Sequence, residues 1–87
     1  MRILSDPCWR MQCEEIAGVA FNRRYVSAKL PCIVAYFEGE VGGHHAVAAY
    51  AVTETAVSCM DPSYGAFRDF RFGHFQRSAK LVVGWPT

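Results

Sequence analysis

No run of apolar residues in this sequence approaches the ~20 that a membrane-spanning helix requires. The opening residues, Met1-Arg2-Ile3-Leu4-Ser5-Asp6-Pro7, also lack the apolar stretch of a secretory signal. No Cys-x-x-Cys occurs among the four cysteines, and the histidines stand at 44, 45 and 74, so no zinc-ligand spacing is present and no metal is expected. Net charge is nearly absent: 9 basic against 8 acidic side chains leave +1. That balance excludes the Lys/Arg excess with which basic nucleic-acid binders hold phosphate. With 52% hydrophobic and only 20% charged residues, the chain is not an intrinsically disordered tail either.

What is present is one aromatic-rich domain over residues 1–87. A domain of this size buries only ~60–65% of its unfolded surface, so its stability margin is thin. The cysteine density is below that of disulfide-built mini-proteins, and the expectation is reduced thiols in a cytoplasmic protein or one secreted without a cleaved signal peptide. Cys32 and Cys59 lie inside apolar runs and read as core residues.

Ser5-Asp6-Pro7 reads as a helix start, a capping side chain followed by Pro where its missing N–H costs nothing. Apolar residues at 8, 9, 11, 16, 17 and 19–21 then suit a helix over about 7–21, interrupted only by Gly18 and closed by Asn22-Arg23-Arg24. Strands follow at about 30–37, 45–52, 56–60, 66–72 and 80–85. The first is a continuous apolar run, as in a strand buried on both faces. Asp61-Pro62-Ser63-Tyr64-Gly65 is a turn, Gly65 supplying the positive φ. The expected fold class is α+β: an N-terminal helix packed on an antiparallel β-meander of four to five strands. A sheet this narrow has open edges that leave room for a dimer.

Three residues converge on one chemistry. Cys8 falls at the second position of the expected helix, where free backbone N–H groups and the dipole favour thiolate. The N–H groups of Cys8 and Trp9 would also hold an oxyanion. His45 opens a strand after Gly42-Gly43, whose bare backbone leaves room for substrate and presents an edge to an extended peptide. Asp61 ends the next strand. A regular ladder with His45 opposite Asp61 centres its connection on Thr53, inside the polar Thr53-Glu54-Thr55. Both side chains then share a face, with His44 on the other. Cys13, about 140° around the helix from Cys8, is the substitute nucleophile. The Arg68, Arg71, Arg77 and Lys80 series reads as a solvated face, and the Phe67, Phe70, Phe72 and Phe75 series as core or pocket wall.

Gly42-Gly43-His44-His45-Ala46-Val47-Ala48-Ala49-Tyr50 with Asp61-Pro62-Ser63-Tyr64-Gly65 resembles the second half of the papain-like cysteine proteases. The likeness is to their bacterial effector branch, of the YopT and AvrPphB type. That branch shows a Gly-x-His-Ala strand start and an Asp-Pro-Asn-x-Gly turn. Cys8-Trp9 is similar to the Cys-Trp opening the nucleophile helix of papain. The match covers roughly residues 31–73, and the expected helix only by position and that dipeptide. The resemblance implies a thiol hydrolase of an effector or toxin type, with Cys8 as nucleophile, His45 as general base and acid, and Asp61 as orienting carboxylate. It would act on a protein amide, by proteolysis or glutamine deamidation, without a cofactor. Two departures stand out: no Gln precedes Cys8, and Cys8 lies only 37 residues before His45. They point to an alternative, a catalytically inactive papain-like fold serving as a protein-binding or inhibitory module.

Overall fold

Hydrogen bonding between strands, rather than a helix laid on a sheet, organises the chain. The computed structural model describes residues 11–37, 43–62 and 65–86. Its strands are β1 Met11–Ala17, β2 Cys32–Phe37, β3 His44–Val52, β4 Ala56–Asp61, β5 Ala66–Arg71 and β6 Lys80–Pro86. They form one six-stranded antiparallel sheet in the order β1-β6-β2-β3-β4-β5. Two short helices, α1 Arg23–Ser27 and α2 Phe72–Gln76, and a 3₁₀ turn at Gly18–Ala20 complete the described fold.

The expected α+β arrangement, an N-terminal helix on a four- to five-stranded meander, is therefore wrong. Residues 11–17 of the expected helix are an edge strand, running against β6 from Met11–Pro86 to Ala17–Lys80. Residues 7–10 of that helix lie outside the described residues. The physical reason is tertiary: β6 inserts beside β2, and its other edge would expose a row of unpaired backbone groups without β1. Pairing along seven residues outweighs a weak local helix preference. Asn22, read as a helix end, is instead a helix start, its side chain accepting from the Tyr25 N–H at 2.8 Å.

Gly18 fixes the corner between β1 and α1. Its N–H donates to the Ala79 carbonyl at 3.2 Å, and a Cβ there would stand 1.9 Å from the Ser78 carbonyl oxygen. Only glycine fits that approach. Glu14 of β1 then accepts from the Tyr25 hydroxyl and lies 3.8 Å from Lys29 Nζ, while that ammonium sits 4.0 Å from the Trp85 ring centre. These contacts tie α1 to the β1–β6 edge.

The inner face of the sheet carries the core. Cys32, Val34 and Tyr36 alternate along β2, Val47 and Ala49 along β3, and Leu81 and Val83 along β6, all buried. Phe21, Val26 of α1 and Phe75 of α2 close over them, each with 0% exposure. The Phe21 and Phe75 rings sit 4.8 Å apart. Burying a side chain of this kind stabilises the fold by about 1.5–3 kcal/mol.

The outer face is open, which corrects the reading of β2 as buried on both faces. Ile33, Phe37, Tyr50, Phe67 and Val82 are all exposed on it, and an apolar groove of about 570 Å³ runs past Ile33, Tyr50, Met60 and Phe67. Phe67 thus belongs to the surface, whereas Phe70 and Phe75 are buried. Among the described residues no helix is long and apolar enough to cross a membrane.

Candidate functional site

Strand alternation sets the site. Along β3 the inward positions are His45, Val47 and Ala49; along β4 they are Val57, Cys59 and Asp61. The two strands pair as Ala48–Met60 and Ala49–Cys59, then shift to Ala51–Ser58 and Val52–Val57 at a bulge. Continuing the first register places Asp61 across from Val47. His45 is therefore its diagonal neighbour rather than its direct partner, because the tight Thr53–Ala56 turn centres the hairpin between Glu54 and Thr55 instead of on Thr53, and the one-residue bulge restores only part of that offset. The face is shared all the same, and diagonal neighbours remain within reach of long side chains.

The side chains meet. His45 Nε2 lies 3.1 Å from both Asp61 Oδ1 and Oδ2. The Asp61 side chain has 0% exposure and the His45 side chain 12%. A carboxylate only accepts, so the proton at this contact is on Nε2 and the imidazole lone pair is on Nδ1. Arg68 Nη1 donates to Asp61 Oδ2 at 3.2 Å, from a side chain that is 45% exposed. Arg68 is thus an ion-pair partner of the site and not merely part of a solvated face.

Other expected site residues fall elsewhere. Cys8, Trp9 and Gly42 lie outside the described residues. Residues 11–17 form a strand, so the helix-based activation of Cys8 finds no support in the described fold. Cys13 is exposed on β1, opposite Gly84, on the outer face. Three strand spacings, ~14 Å, and the thickness of the sheet separate it from His45, so it is not a substitute nucleophile for this pair. Gly43 has φ +64°, and among the described residues nothing lies within 4 Å of where a Cβ would stand. β3 runs between β2 and β4, and the described pairing with β4 starts only at Ala48–Met60, whereas β2 already pairs with β3 from His44. His44 faces outward against Phe37, with ring centres 5.5 Å apart. Cys32 and Cys59 are buried free thiols, and burial pushes them up to about 11 and about 12, in the direction opposite to nucleophile activation.

Sequence reasoning missed Tyr36, Arg68 and His74. Tyr36 pairs directly with His45 across β2–β3, and its ring meets the imidazole edge-on at 5.6 Å. His74, in α2, places Nε2 3.0 Å from the Tyr36 hydroxyl. The signal for Arg68 was available: Ala66, Arg68 and Phe70 share one strand face, and Asp61 pairs with Ala66. The signal for His74 was not, because nothing local announces α2. Among the described residues no group of His, Cys, Asp or Glu side chains is placed to hold a metal ion.

A scan against family models finds no match to this chain, and a search of curated proteins finds none.

Proposed function

We propose that this protein is a thiol hydrolase acting on a protein amide, with Cys8 as nucleophile, His45 as proton carrier and Asp61 as the group that orients it. The observation that carries the reading is the His45–Asp61 pair: a wholly buried carboxylate holding Nε2 at 3.1 Å through both oxygens. This arrangement fixes one tautomer and supports the imidazolium that forms during acyl transfer. The likeness of residues 42–50 and 61–65 to the papain-like thiol enzymes supports the same assignment. In the reaction, Nδ1 of His45 takes the Cys8 proton and the thiolate attacks the amide carbonyl carbon. The C–N bond then breaks as the imidazolium protonates the leaving amine, and water, deprotonated by His45, releases the acyl group and restores the thiol. Proteolysis and glutamine deamidation share these steps.

The test is hydrolysis of fluorescently labelled casein, run beside ammonia release from a glutamine-bearing peptide, by wild type, Cys8→Ala and His45→Ala. Activity in one assay that vanishes in Cys8→Ala and falls about 10²–10⁴-fold in His45→Ala supports the proposal. Hydrolysis that is equal in wild type and Cys8→Ala sinks it.

A second reading, a catalytically inactive protein-binding or inhibitory module, draws on a different observation. Ile33, Tyr50 and Phe67 leave an apolar face uncovered, and such faces mark interaction surfaces. Under that reading Cys8 has no enhanced reactivity.

A further inference from the structure

We infer that Tyr36 and His74 are positioning residues for His45, holding its imidazole in the plane that meets Asp61. The inference rests on the reading of His45 as the proton carrier, and it is carried by a closed circuit of six side chains on the inner face. His45 Nε2 contacts Asp61 at 3.1 Å, and Asp61 accepts from Arg68 at 3.2 Å. The Arg68 guanidinium lies 4.8 Å from the Phe70 ring centre. Phe70 stacks on His74 with centres 4.6 Å apart and planes 22° apart. His74 Nε2 contacts the Tyr36 hydroxyl at 3.0 Å, and the Tyr36 ring returns edge-on to His45 at 5.6 Å.

The circuit draws on β2, β3, β4, β5 and α2, so its members are separated in sequence and fixed by the sheet register. Tyr36 is 2% exposed and faces His45 directly in the β2–β3 ladder. Its ring therefore fills the space into which the imidazole would turn if it left Asp61. The hydroxyl contact with His74 stops that ring from sliding, because α2 is anchored by Phe75, also buried against Tyr36 with ring centres 5.1 Å apart. A catalytic imidazole that keeps one orientation avoids the cost of finding it in each turnover.

The experiment reads His45 itself, without substrate. Solvent exchange of the His45 Nε2–H proton is measured by ¹⁵N-edited NMR in wild type, Tyr36→Phe, His74→Ala and His74→Gln, with amide exchange of the β2 and β6 core as the fold control. Tyr36→Phe keeps the ring edge and loses the hydroxyl; His74→Gln keeps a polar partner for it. The expected result is exchange about tenfold faster in Tyr36→Phe and His74→Ala, the size of one net hydrogen bond, with core amides unmoved and His74→Gln close to wild type. Unchanged exchange in the two deletion variants overturns the inference. So does acceleration that His74→Gln does not rescue and that core amides share, since that is loosening of the whole sheet. Failure of the hydrolase reading appears separately, at Cys8, and leaves these exchange rates as they are.

Discussion

Asp61→Asn removes one charge and keeps the shape of the side chain, which makes it a sharp probe of the site. The carboxylate is fully buried and accepts from His45 at 3.1 Å and from Arg68 at 3.2 Å. An amide offers one oxygen, so His45 and Arg68, the donors among the described residues, no longer both find an acceptor. A hydrogen bond to a charged group contributes about 1.5–3 kcal/mol, against about 0.5–1.5 for a neutral one, so weakening the His45 contact costs roughly 1–1.5 kcal/mol. The Arg68 side chain is 45% exposed, and water screens its pairing with Asp61. Its share is therefore no more than about 1 kcal/mol. The expected loss is about 1–2.5 kcal/mol in urea unfolding followed by circular dichroism, or a fall in Tm of roughly 4–20 °C for a domain of this size. Arg68→Gln alone should lose less than Asp61→Asn. An Asp61→Asn protein within about 0.5 kcal/mol of wild type would mean that the buried carboxylate contributes no more than a surface side chain.

Gly18→Ala should destabilise by about 1–3 kcal/mol or more, because the added methyl meets backbone 1.9 Å away, at the Ser78 carbonyl, and that corner has to open; a melting curve unchanged from wild type would contradict the close approach. Phe75→Ala should cost about 3–5 kcal/mol in urea unfolding while Phe67→Ser stays within about 1, since the first side chain is fully buried and the second is 72% exposed. The buried thiols predict an alkaline weakness. Burial raises Cys32 and Cys59 from 9.0 to about 11 and about 12. The unfolded chain ionises them first, so stability held below pH 9 is lost as pH climbs toward those folded values, at roughly 1 kcal/mol per thiol per pH unit. Melting temperatures at pH 8 and 10 should therefore diverge less in Cys59→Ala than in wild type.

Strand positions after residue 30 were legible because β-branched and aromatic runs mark them, and the hairpin spacing already put His45 and Asp61 on one face. The diagonal offset between them was not legible, because neither the centre of the Thr53–Ala56 turn nor the bulge at Ala49/Ala51 leaves a mark in composition. The first element was misread for a different reason. Residues 11–17, Met-Gln-Cys-Glu-Glu-Ile-Ala, carry little pattern of either kind, and β6, some seventy residues later in sequence, decides their conformation. Tyr36 and His74 escaped notice on the same ground: each matters through a partner reached only when β2, β3 and α2 are assembled. Arg68 was misassigned because half-exposed arginines look alike in sequence whether or not a buried carboxylate lies within reach.

Site-resolved alkylation reads the proposed pairing of His45 with a reactive thiol at Cys8. Iodoacetamide modification of Cys8 and of Cys13 is followed by mass spectrometry from pH 5.5 to 9 in wild type and His45→Ala. An ordinary thiol reacts with a midpoint near pH 8.5, and a thiolate stabilised by a basic partner reacts well below it. Cys8 should label at least about tenfold faster than Cys13 at pH 6.5, with the advantage abolished in His45→Ala. Equal labelling of the two cysteines at pH 6.5, unaffected by His45→Ala, would contradict it.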